Sequence, residues 1–305
     1  MPAGNATPFV HRVSSPGAAQ GMTFTGLARF PDSSEPNGDV PLVIAVHGGG
    51  YTSAYFDVPG YSLLDRAAGL GVPIIAVDRP SYGGSSPVRS GESVLLANAA
   101  ALDHLVAGIW ASGGHGAAGV FVIGHSIGAA ITMAIAARRP SWPLLGIAVS
   151  GCLLREPRNM YDLWAAIPGD TLESPPDQKA VRMFGPEWTR RGDMPEASYP
   201  ANAPVLRSEL LDVSSTWHGI FREEVAPNIA VPTHLRVGEF ETFWIVNDEE
   251  VAECAALLSS SPLVDAQVFR SCGHVIDYHR ASAAFQVQQL SFALNCCAQR
   301  VSEHA

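Results

Sequence analysis

Short apolar runs recur along the chain, and helix-forming stretches separate them. Pro41 to Val46 (PLVIAV), Val72 to Val77 (VPIIAV) and Val120 to Ile123 (VFVI) are continuously apolar rather than alternating. A strand covered on both faces has that character. Leu144 to Ser150, Pro232 to Val237 and Leu263 to Phe269 extend the series. Nearer the N-terminus, Phe9 to Val13 reads as an edge strand. Met22 to Phe30 alternates in part, as a strand of an exposed hairpin does. Residues 1–8 read as loose, and Pro31 to Asp39 as a turn-rich loop. Between the strands, helices are predicted over Tyr61 to Leu70, Glu92 to Ala111 and Ala129 to Arg139. The second carries Leu95, Leu96, Ala99, Leu102, Leu105 and Val106 near the i, i+3, i+4 rhythm. Asn247 is an N-cap with Glu250 as its capping-box partner, opening a helix to about Leu258. A last helix runs from about Tyr278 to Gln299. This alternation predicts an α/β fold: a mostly parallel central sheet flanked by helices.

One stretch breaks the rhythm. Cys152 to Arg222 is irregular and rich in proline, with short helices predicted at Met160 to Ala166, Gln178 to Phe184 and Ala203 to Leu211. It is a cap candidate, inserted into a core of residues 1–151 and 223–305, and would fold across the carboxyl ends of the strands. Trp164, Met183, Phe184 and Trp188 from the cap are candidates to line a pocket there. Tyr51 and Tyr55, after the Pro41 strand, are candidates for the same mouth.

The candidate chemistry centres on Gly124-His125-Ser126-Ile127-Gly128, between the Val120 strand and the following helix. A serine at a sharp strand-to-helix turn is held in a strained conformation. Side chains two positions either side would collide with neighbouring backbone, so glycine is needed there. The Ser126 hydroxyl then stands above the sheet edge at a helix N-terminus, which favours negative charge. A serine is a poor nucleophile without a base, and histidine titrates in the right range. Of ten histidines, His274 is preferred, because it follows the last strand after Gly273. His279 is the rival, placed by pattern inside the final helix. His125 would leave the turn in another direction, and His218 and His234 look structural or surface. A carboxylate is needed to fix the imidazole tautomer. The loop after the Pro232 strand offers Glu239 and Glu241. Glu241 is preferred for reach, and Asp248 is weaker because it falls in a helix's first turn. His47-Gly48-Gly49-Gly50 ends the Pro41 strand, and its side-chain-free N–H groups can converge on an oxyanion. His47 is expected to brace that loop. Asp78 and Arg79 are expected to pair with each other or brace loops.

Composition narrows the partners. The net charge is −10, and no basic run exists, which argues against nucleic acid. Lys179 is the single lysine, an arginine-over-lysine bias read as genomic composition. No run of eighteen apolar residues predicts a membrane span, and the N-terminus lacks a secretory core. The five cysteines have no metal-type spacing, so a cytoplasmic protein with reduced thiols is expected. No metal-ligand cluster or dinucleotide signature stands out, and no cofactor is expected.

Together the GHSIG turn, the HGGG loop, the DRPSYGGS segment and the late Gly273-His274 resemble the α/β-hydrolase superfamily over nearly the full chain. The likeness is to its serine-nucleophile branch with a lid after the sixth strand. The order Ser126, Glu241, His274 is the family's usual one, with Glu where Asp is commoner. The resemblance implies that the Ile127 and Gly49 N–H groups form an oxyanion hole, with Gly50 as a further donor. It implies a serine hydrolase, and the apolar cap favours a small-to-medium hydrophobic carboxylic ester as its substrate. Carbon–carbon bond, thioester, lactone and amide cleavage, or acyl transfer with cyclisation, use the same triad. Haloalkane and epoxide chemistry are disfavoured because Ser126 stands where those branches have a carboxylate. A non-catalytic ligand-binding module is the remaining, different class.

Overall fold

The computed structural model describes residues 6–31, 38–88, 91 and 93–303. Residues 1–5 of the expected N-terminal segment, most of the Pro31 to Asp39 loop, and Glu92 lie outside these. An eight-stranded sheet has the order β1-β2-β4-β3-β5-β6-β9-β10. β1 (Thr7–Arg12) and β2 (Thr23–Arg29) form an antiparallel hairpin at one edge. β3 (Leu42–Val46), β4 (Ile74–Val77), β5 (Val120–His125), β6 (Leu144–Ser150), β9 (Thr233–Gly238) and β10 (Val264–Phe269) run parallel. All five residues of β3 are buried. Leu42, Ile44 and Val46 enter one apolar core, while Val43 and Ala45 enter the other. A strand that feeds two cores has no polar face, which is why its sequence does not alternate.

Helices α1 (Leu63–Gly69), α2 (Val94–Ala111), α3 (Ile127–Ala137), α8 (Asp248–Leu257) and α9 (Ser282–Glu303) flank the sheet. α2 is long and apolar enough to cross a membrane by length and composition. Its apolarity has another destination: Leu95, Ala99, Leu102, Leu105 and Val106 are buried in the core. Asn247 caps α8, its Oδ1 accepting the Glu250 N–H at 2.8 Å. The Glu250 side chain does not complete a capping box and instead binds Arg155.

The cap lies between β6 and β9. It contains α4 (Met160–Ala165), α5 (Pro176–Phe184) and the short ribbon of β7 (Thr171–Leu172) with β8 (Val205–Leu206). A helical run then includes α6 (Arg207–Asp212) and α7 (His218–Ile220), joined by the π-helical turn Val213–Trp217. The helix expected from Ala203 starts only at Arg207, because Val205 and Leu206 pair with β7. α9 starts at Ser282 rather than Tyr278, after a single 3-10 turn at Ile276–Tyr278. His279 therefore precedes the helix.

Candidate active site

Ser126 sits between β5 and α3 with φ 56° and ψ −122°, a conformation that side-chain-bearing residues rarely adopt. The turn is held by its packing. A Cβ on Gly128 would lie 2.2 Å from the Val46 carbonyl oxygen, and one on Gly124 would lie 2.4 Å from Thr132 Oγ1. The Ser126 N–H donates to the Ser150 carbonyl at 2.7 Å, tying the turn to β6.

The glycine loop after β3 abuts this turn. A Cβ on Gly48 would come within 2.8 Å of Ser126 Cβ, and one on Gly49 within 2.9 Å of Ile127 Cδ1. Gly50 has φ +76°. His47 braces the loop as expected of it. Its Nε2 accepts the Arg79 N–H at 3.0 Å, which leaves Nδ1 protonated to donate to Gly48 O at 2.8 Å. Arg79 and Asp78 do not pair. Asp78 takes the Ser53 N–H at 2.7 Å and the Thr25 hydroxyl at 2.6 Å. Arg79 is fully buried, donating to His47 O at 2.8 Å and Gly48 O at 3.3 Å. Its guanidinium also forks onto Glu209 of α6, which accepts the Tyr82 hydroxyl at 2.7 Å. The cap thus reaches the glycine loop through a buried ion pair.

On the far side, His274 Nδ1 donates to Glu241 Oε2 at 2.7 Å. The Glu241 side chain is fully buried and its Oε1 accepts the Thr242 and Phe243 N–H groups at 2.8 and 2.9 Å. Glu239 turns elsewhere, accepting the Ser271 N–H at 2.8 Å. With Nδ1–H committed to Glu241, Nε2 is the acceptor nitrogen of His274. The rival His279 faces away, paired with Thr189 Oγ1 at 3.0 Å. Its Nε2 accepts the Gly273 N–H at 2.9 Å, so it steadies the turn that carries His274. His125 stacks on Tyr55 with ring centroids 4.8 Å apart. His234 is buried with neither ring nitrogen hydrogen-bonded to the protein. Burial holds its pKa down to about 3.

A cavity of about 700 Å³ is lined by Ser126, Ile127, Gly49, Gly50 and His274 together. Trp164 and Met183 line it, as do Cys152, Val205 and Phe243. The other four pocket candidates are placed elsewhere. Tyr51 and Tyr55 are fully buried behind the glycine loop, packed edge-to-face with ring centroids 5.0 Å apart. Phe184 is buried against Tyr278 at 6.0 Å. Trp188 is 61 % exposed and packs on Phe240 outside the cavity. Aromatic type did not determine which side of the loop each ring would face.

Three contributors carried no motif. Gly151, with φ +66°, lies where a Cβ would come within 3.0 Å of the His274 ring. The Phe243 ring stands edge-on to His274 at 4.8 Å. Lys179 lines the cavity; being the chain's sole lysine was its one sequence signal. No group of three or more potential metal ligands occurs among the described residues.

The fold matches solved structures at low identity. A soluble variant of monoglyceride lipase from Saccharomyces cerevisiae, in complex with a substrate analog, superposes with a TM-score of 0.69 at 16% identity. That match covers 94% of this chain and 98% of the other. Carboxylesterase CesB from Bacillus subtilis gives 0.63 at 16%, over 94% and 91%. Monoacylglycerol lipase from Paleococcus ferrophilus gives 0.62 at 20%, over 84% and 96%. These identities speak to the fold alone. No curated protein matches the sequence. The sequence profile described as "Alpha/beta hydrolase family" matches residues 43–286, most of the chain. On that match, together with a mostly parallel sheet bearing a helical cap, the chain belongs to the alpha/beta hydrolase family.

Proposed function

We propose that the protein is a serine hydrolase that cleaves a small-to-medium hydrophobic carboxylic ester through an acyl-enzyme. The observation that carries this reading is the joint placement of a strained Ser126, the glycine loop and a Glu241-anchored His274 around one largely apolar cavity. In the proposed sequence, His274 Nε2 takes the Ser126 proton as Oγ attacks the ester carbonyl. The N–H groups of Gly49 and Ile127, with Gly50 alongside, receive the developing oxyanion. The imidazolium, held by Glu241, protonates the leaving alcohol. His274 then draws a proton from water as its oxygen attacks the acyl carbonyl, and returns that proton to Ser126 Oγ as the acyl–oxygen bond breaks and the acid is released. Glu241 keeps Nδ1 protonated throughout, so Nε2 is the nitrogen that takes up and returns the proton. A cytoplasmic setting belongs to the same proposal and is supported by five cysteines that are all free. The test is hydrolysis of aryl esters of graded acyl length by wild type and Ser126→Ala. Turnover that peaks at one length and disappears in the variant is expected. Undiminished turnover by Ser126→Ala would sink the mechanism. Labelling of Ser126 by an alkyl phosphonate, read by intact mass, separates an enzyme from a binding module.

A further inference from the structure

Lys179 is a buried cation with no anion beside it. It lies on α5 at 5 % exposure, and its ammonium donates to Gly50 O at 3.3 Å and to Asn202 Oδ1. The third direction points at the Tyr51 ring, 3.7 Å from its centroid. Burial keeps the Tyr51 hydroxyl protonated, so the ring is no counter-ion. No carboxylate among the described residues lies within 4.0 Å of the ammonium. Arg182, one turn further along α5, adds a second cation to the cavity lining. Of the acids that also line it, Glu156 is engaged with His218 at 3.5 Å, and Glu173 is exposed to solvent.

An ammonium out of water without a counter-ion is costly. Burial lowers the pKa of Lys179 to about 7, the direction that cost requires. A carboxylate in the cavity would relieve it. Such a group has a place to bind: the 3.3 Å bond to Gly50 O is long, and that carbonyl also accepts the Ala203 N–H at 3.1 Å. Its displacement therefore leaves no buried acceptor bare.

We propose that Lys179 receives a carboxylate carried by the substrate, making the favoured substrates short half-esters of dicarboxylic acids. This rests on the hydrolase reading above. Lys179 touches Gly50, the neighbour of the proposed oxyanion donor Gly49. The reacting carbonyl and the carboxylate are then separated by roughly 4–7 Å, one to two residue lengths, which suits a diacid of about four to six carbons.

The experiment compares aryl hemisuccinate and hemiglutarate with the uncharged aryl butyrate and valerate. Wild type is expected to prefer the charged ester by at least about ten-fold in kcat/KM. Lys179→Met is expected to lower that ratio at least about ten-fold, and Lys179→Arg to retain part of it. Any effect on the glycine loop through Gly50 acts on both esters and cancels in the ratio. A second readout is independent of turnover: calorimetric binding of monomethyl glutarate to Ser126→Ala, with and without Lys179→Met. Lys179-dependent binding, with wild type turning over none of the four esters, would uphold the carboxylate site and remove the hydrolase reading. Ester turnover with a wild-type preference for the neutral ester, or a ratio untouched by Lys179→Met, would overturn the carboxylate site and leave the hydrolase reading standing.

Discussion

Glu209→Ala tests whether the cap holds the glycine loop in place. Arg79 and Glu209 have no side-chain exposure, so removing the carboxylate strands a guanidinium in the interior. Breaking a buried pair from one side costs about 3–5 kcal/mol. In a chain of this size, that corresponds to a fall in Tm of about 5–8 °C. A second effect should be separable from the first. The same guanidinium binds the carbonyls of His47 and Gly48, so an unanchored Arg79 shifts the neighbouring proposed oxyanion donor. A displacement of about 1 Å at a reacting centre costs on the order of 100-fold in rate. The double variant Arg79→Met/Glu209→Leu removes both charges and should recover most of the stability. It should not recover activity, because the two carbonyl contacts are still missing. Calorimetric melting gives the stability. Ester kcat/KM, measured well below each variant's melting point, gives the activity. A double variant as active as wild type would refute the positioning role. A Glu209→Ala protein that melts within about 2 °C of wild type would refute the energetic argument.

Four further outcomes follow from the same geometry. Glu241→Gln presents an amide to His274 Nδ1 and should lower kcat by about 1,000- to 10,000-fold; Glu239→Gln should cost less than about ten-fold, and the reverse order would reassign the acid. Trp164→Ala and Met183→Ala should move the preferred acyl length upward, whereas Trp188→Ala, outside the cavity, should leave the length profile unchanged; a shift in Trp188→Ala alone would misplace the pocket. Gly128→Ala drives a Cβ against the Val46 carbonyl and should destabilise by about 2 kcal/mol or more in urea melts; wild-type stability would contradict the packing of the turn. Acid should weaken the fold through four buried histidines. Burial, with Arg79 beside His47 and His274 beside His125, lowers the pKa of both well below the ordinary value; burial brings His234 to about 3 and His279 to about 4. The unfolded chain takes up these protons near pH 6.5 while the folded one does not, so their contribution is present above that pH. It is lost as pH falls from about 6.5 toward about 4, at up to roughly 1.4 kcal/mol per pH unit for each histidine. A Tm constant from pH 7 to pH 5 would contradict this.

What was legible in the sequence was local or set by topology. The serine turn shows itself within five residues, although only Gly124 answers to the flanking helix; the clash that demands Gly128 comes from the end of β3, distant in sequence. His274 was legible one level up: it follows β10, a neighbour of β9 in the sheet. Two consecutive parallel strands bring their following loops to one edge, so the loop with Glu241 meets the loop with His274. That Glu241 rather than Glu239 pairs with His274 reflects the reach of the turn. The expectations that failed concern which side of a surface a residue faces. Tyr51 and Trp164 are both aromatic residues near the proposed mouth; one lies behind the glycine loop and one lines the cavity. That difference depends on how the cap docks, which no periodicity within the cap encodes.

The least legible features are the two cap contacts to the glycine loop. Glu209 is 130 residues from Arg79 and Lys179 is 129 from Gly50, and neither lies in a motif. Both are cap residues whose charged ends contact the same glycine loop, Glu209 through Arg79 and Lys179 directly. The two cations differ in what they have to bind. Arg79 has a carboxylate within the protein and so makes a closed, fixed strut. Lys179 has neutral acceptors and one aromatic face, which leaves its charge open to a ligand. A loop that must present N–H groups to an oxyanion needs a rigid support, and a cavity that must choose its substrate needs an unsatisfied one. The cap supplies one of each, so its sequence should bear on rate through Glu209 and on substrate choice through Lys179.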